Sequence, residues 1–162
     1  MRIAVFLIPL ALAGCGSEPE QPGADKVAEI ERVNEGVAIA ARPETILYPD
    51  IEAEGLTDPA CAFAPDGGGM APILLAMEGR AVMKFGGTLA EFAPDAGVQR
   101  SPSVAWSKYD GREYSVQFGL GQELTGAGAG EGAGKRYEAS LRLLDGKDRE
   151  VYRASGIAQC PD

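Results

Sequence analysis

The alternation in residues 135–144 constrains the fold more than any other feature of the chain. Tyr137, Ala139, Leu141 and Leu143 alternate with Glu138, Ser140 and Arg142, which is the period of a strand with one face on a core and the other in water. Such a strand needs partners to be stable, and the chain offers several. Residues 149–160 form a return strand across Asp145-Gly146-Lys147-Asp148. Residues 73–77, 81–85 and 88–92 are three further β-prone runs, separated by Glu78-Gly79-Arg80 and by Gly86-Gly87, and they read as a meander of hairpins.

Between residues 104 and 120, Asp110-Gly111 sits between two extended runs as a two-residue type I′ turn would. That turn places Tyr109 opposite Arg112, Ser107 opposite Tyr114, Ala105 opposite Val116 and Ser103 opposite Phe118 on the core side. On the other face it places Lys108 opposite Glu113, with Trp106 beside Ser115 and Gln117. Residues 45–48 are a short extended run stopped by Pro49-Asp50, and a loop then passes Asp58-Pro59 to reach Cys61 and Phe63. Nearer the N-terminus, Asp25 can cap a helix whose apolar positions are Val27, Ile30, Val33 and Val37. The expectation is a mainly β domain over residues 25–162, a small antiparallel β-sandwich or barrel of about eight strands. One N-terminal amphipathic helix spans about residues 25–40, ending near Gly36 or before Pro43, and is expected to pack on that domain.

The leader sets the compartment. Arg2 is followed by an apolar run over residues 3–13 and then by Gly14-Cys15, the layout of a secretory signal. The run contains Pro9 and is little more than half of the about 20 apolar residues a bilayer crossing needs. Leu12-Ala13-Gly14-Cys15 resembles the lipobox of bacterial lipoproteins. The resemblance implies cleavage after residue 14, acylation of Cys15, and a tether over residues 15–24. Gly16 in place of an aspartate implies the outer membrane, with the body facing the periplasm.

With Cys15 given to the anchor, Cys61 and Cys160 remain in a compartment that permits disulfides. One bridge between them is expected, with two separate buried thiols as the alternative. The formal net charge is −9, which argues against nucleic acid, whose binders carry basic stripes, and against adhesion to anionic head groups. The chain has no histidine, so imidazole-based triads and dyads are excluded. Ser107 and Lys108 point to opposite faces of a strand. The glycine-rich stretch of residues 126–134 breaks both nucleotide-binding spacings: Glu131 interrupts the first, and Ala129 with Arg136 the second. No catalytic residue, cofactor or metal is expected. Trp106 is an aromatic on the face that carries Lys108 and Glu113. Coverage by residues 26–40 is the first expectation for it, and a protein-partner surface made of Trp106, Lys108 and Glu113 the second.

From Cys61 to Cys160 the chain resembles the C-type membrane-bound lysozyme inhibitors in leader, predicted small barrel, cysteine pair and acidity. Ala154-Ser155-Gly156 is similar to that family's Ser-Gly loop, although Ile157 replaces the aromatic expected next and the tripeptide falls in a predicted strand. The functional expectation is a lipid-anchored, non-catalytic binding or structural module of the cell envelope. An inhibitor of c-type lysozyme is the first alternative and a carboxylate-based envelope hydrolase the second.

Overall fold

The computed structural model describes residues 23–101, 103–125 and 134–162. The leader, Cys15 and the tether up to residue 22 lie outside the described residues, as does the glycine-rich stretch 126–133. The chain divides into two units, Met1–Val37 and Ala38–Asp162.

In the first unit, helix α1 spans Ala24–Glu35. It ends at the first of the two expected stops, because Gly36 takes φ 64°, a positive-φ conformation that glycine adopts freely and that stops a helix. The N-cap is Gly23 rather than Asp25. Within this unit Val27, Ile30 and Val33 are exposed.

The second unit is a closed antiparallel barrel of eight strands in sequential order. The strands are β1 (Ala60–Pro65), β2 (Leu74–Met77), β3 (Ala81–Phe85), β4 (Thr88–Pro94), β5 (Lys108–Asp110), β6 (Tyr114–Glu123), β7 (Lys135–Asp145) and β8 (Glu150–Cys160). Closure is made by β1 against β8, from Ala62↔Gln159 to Pro65↔Gly156. One position further along that register, Cys61 and Cys160 form a disulfide with their Cα atoms 4.0 Å apart. The bridge therefore pins the first strand to the last.

Two expectations are corrected here. Residues 45–48 are not a strand: Tyr48–Ala53 is a short helix, α2. Pro49 and Asp50 start it rather than stop a strand, because the Leu47 N–H donates to the Asp50 carboxylate at 2.8 Å and proline fits a first helical turn. The eighth strand is instead β1, where the sequence predicts a loop leading to Cys61 and Phe63. The β5–β6 hairpin also has a longer connection than a type I′ turn. Tyr109 pairs with Val116 and Lys108 with Gln117, so each partner lies four residues beyond the expected one. An even displacement keeps every side chain on its face, and Ala105, Tyr109, Val116 and Phe118 are buried as expected.

The interior is filled. Phe63 and Phe118 meet edge-on at 6.1 Å, among buried Leu74, Met83, Leu141 and Leu143, as expected for an eight-stranded barrel whose side chains meet at the axis. Both ends are closed by chain. At one end residues 38–46 cross the mouth: Ala41 N donates to Val151 O and Glu44 N to Lys84 O. At the other, the β4–β5 connection brings in Ala105, which is fully buried. A second, smaller core lies outside the wall, where Ile46 and Leu56 pack on Leu75, Met77 and Val82. This outer layer explains why all four residues of β2 are buried, since a strand covered on both faces loses its polar alternation.

Tyr109 ties the plugged end together. Its hydroxyl donates to Met77 O at 2.8 Å and accepts from Trp106 N at 2.8 Å, linking β5 to β2 and to the plug; burial raises its pKa above the ordinary phenol value. Tyr109→Phe leaves a buried carbonyl and a part-buried N–H without partners, so a loss of about 2 kcal/mol in urea unfolding is expected. A loss below about 0.5 kcal/mol would mean that water replaces the hydroxyl at no cost.

Candidate functional site

The structure does not assemble Trp106, Lys108 and Glu113 into one surface. Trp106 is half-buried on the plugged end of the barrel. Its indole N–H donates to Glu78 O at 2.8 Å, and the Arg100 guanidinium lies 5.3 Å from its ring centroid, held there by Glu78 at 2.9 Å. The side chain over Trp106 within the barrel unit thus comes from the β4–β5 connection. A cation over an indole face is attractive in its own right.

Lys108 sits between Asp95 at 3.0 Å and Asp110 at 3.2 Å, not opposite Glu113. The hydrogen bond it donates to Asp95, then that to Asp110, raises its pKa. Glu113 is exposed in the connection after Gly111, because the longer hairpin carries it past the last rung of β5. Other charged groups on this side are similarly engaged. Arg153 and Arg142 bond Glu150 at 2.6 and 2.7 Å and lower its pKa to about 2, the Arg153 contribution being the larger. Arg149 holds Asp145 at about 2 in the same way. The Asp145 carboxylate also accepts from the N–H groups of Lys147 and Arg149, so it is occupied by its own turn.

Ala154-Ser155-Gly156 lies inside β8. Ser155 faces Ser140 across the ladder, and both line a shallow outer concavity of about 540 Å³ with Asp66, Gly119 and Glu138. Asp66 and Glu138 are the ionisable groups in that lining. Among the described residues, no group of three or more His, Cys, Asp and Glu side chains is arranged to hold a metal ion.

The concavity with the most informative walls is elsewhere. A cleft of about 530 Å³ is lined on one side by five consecutive residues, Thr88 to Phe92, and on the other by Arg112, Glu113 and Tyr114, with Phe85 between them. Consecutive residues in one wall mean that the wall is backbone, because alternate side chains of a strand point to opposite faces. The cause is the pairing of β4. It is laddered to β3 from Ala81↔Phe92 to Phe85↔Thr88, but to β5 only at Ala93 and Pro94. Beyond that rung the opposite chain turns away, and Gly111 N bonds Tyr114 O instead. Phe85 and Tyr114 pack across the gap with centroids 5.4 Å apart. This cleft depends on where the β4–β5 ladder stops, which no local motif announces; the longer β5–β6 connection is the signal the type I′ reading missed.

No protein-family model, curated protein or solved structure matches the chain.

Proposed function

We propose that this chain is a lipid-anchored, non-catalytic binding module of the bacterial cell envelope, held by acyl chains on Cys15 and facing the periplasm. The observation that carries the reading is the pairing of Cys61 with Cys160, because such bridges form and persist in exported proteins. It agrees with the secretory layout of residues 1–14 and with the resemblance of Leu12-Ala13-Gly14-Cys15 to a lipobox. Binding rather than transport of a small ligand suits a barrel whose interior is filled by side chains. No helix among the described residues is long and apolar enough to cross a membrane, so in this reading the anchor is the lipid.

Fractionation of cells tests it. The wild-type chain is expected in the membrane pellet and Cys15→Ser in the soluble fraction with its Cys61–Cys160 bridge intact. Mass spectrometry of the wild type is expected to show a chain that begins at an acylated Cys15. A Cys15→Ser chain that still sediments with membranes, or a wild-type chain retaining Met1, overturns the proposal.

A further inference from the structure

We propose that the open edge of β4 binds an extended, basic segment of another protein as an added β-strand. This deepens the binding-module reading and rests on it, but not on acylation of Cys15. The two-residue turn Gly86-Gly87 makes Phe85 and Thr88 a bonded pair. Thr88, Ala90 and Phe92 therefore address β3, and the N–H and C=O groups of Leu89 and Glu91 address the cleft. Those groups meet no strand, because the β5 ladder ends at Ala93. An exposed strand edge is a template for another extended main chain.

The cleft also states what that chain carries. Its floor holds the half-buried rings of Phe85 and Tyr114, which suit an apolar or aromatic side chain at one inward position. Its rim carries Glu113 and Arg112, with Glu91 already paired to Arg80, so the preference for charge comes from the body as a whole: the chain is −9, and basic residues flanking the apolar position are favoured by that field. The same charge sets a second copy of this chain at a disadvantage as occupant, because two bodies of like sign repel. The five residues from Thr88 to Phe92 set the length of the added segment, about one ordinary strand.

The test uses the purified chain carrying Cys15→Ser and a capped pentapeptide of sequence lysine-valine-tyrosine-valine-lysine. Two N-methylated versions, each blocking one edge of the peptide, and a version with glutamate for lysine serve as controls. Amide hydrogen exchange at Leu89 and Glu91 is expected to slow at least about tenfold at saturation, while Ala90, already laddered to β3, is unchanged. One N-methylated peptide should lose binding and the other keep it, and the acidic peptide should bind about tenfold more weakly. Glu91→Pro removes one cleft-facing N–H at an edge where proline is tolerated and is expected to abolish binding.

Unchanged exchange at Leu89 and Glu91 with millimolar peptide overturns the proposal, as does retention of binding by both N-methylated peptides. Protection of the same amides without peptide, in a protein of dimeric mass, assigns the edge to a second copy and also overturns it. None of these outcomes depends on anchoring, which the Cys15→Ser fractionation reports separately.

Discussion

Replacing both Cys61 and Cys160 by alanine is expected to lower the free energy of unfolding by about 3–5 kcal/mol, the largest effect of any substitution that leaves the barrel's packing otherwise intact. The half-cystines are 99 residues apart, so the bridge removes loop-closure freedom from nearly the whole barrel in the unfolded state. It also acts at the seam that closes the barrel. β1 pairs with β8 over only Ala62 to Pro65, and Pro65 has no N–H to give to the ladder. Urea unfolding of the oxidised wild type against the double variant measures the difference, and the variant is expected to fold more slowly as well, because β1 and β8 are the paired strands farthest apart in the sequence. A loss under about 1 kcal/mol would show that side-chain packing closes the seam unaided.

The seam is also where sequence and structure part company. β7 and β8 were legible because their alternation is long and one face is wet: Glu138, Ser140 and Arg142 declare the outside. β3 was legible from its flanking glycines. β1 reads Ala-Cys-Ala-Phe-Ala-Pro, in which alanine and proline have weak strand preference and no charged residue marks a wet side. Its outward residues Ala60 and Ala62 lie under the outer layer built by Ile46 and Leu56, so the polar half of the alternation is missing. Only tertiary structure makes it a strand.

The hairpin of β5 and β6 teaches a different lesson. Asp110-Gly111 is a strong local turn signal, yet Tyr109 reaches Val116 rather than Arg112. Burial decided which faces are inside, and those faces follow from period alone. Register followed from something the local sequence does not carry: Tyr109 must reach Met77 O across the plugged end, and Lys108 must reach Asp95. The consequence is the open stretch of β4. A site made by the absence of a rung is invisible to motif reading, whereas Cys61 and Cys160 were legible because, with Cys15 set aside, they are the two cysteines left in the chain and two thiols make one bridge.

The seam further sets an exacting demand on one glycine, and Gly156→Ala is the second large effect expected. A Cβ built on Gly156 would lie 2.1 Å from Ala64 O and 2.8 Å from the Pro65 Cα, and both obstacles are backbone. A flexible side chain could swing aside; β1 cannot, because Cys61 is bonded to Cys160 at one end of the pairing and Asp66 N donates to Ser155 O at 2.9 Å at the other. The strain must then separate the strands or expel part of the barrel interior, and a loss of about 3 kcal/mol is expected, the upper end of what overpacking costs. Gly146→Ala is the control, because nothing lies within 4 Å of a Cβ at that turn position and its effect should stay within about 0.5 kcal/mol. If thermal or urea unfolding shows equal, small losses for both, the close approach of β8 to β1 at Gly156 is not part of the folded state, and the barrel is open at that seam. If Gly156→Ala is costly only while the disulfide is intact, the bridge is what forces the strands so near, and reducing it should relieve most of the penalty.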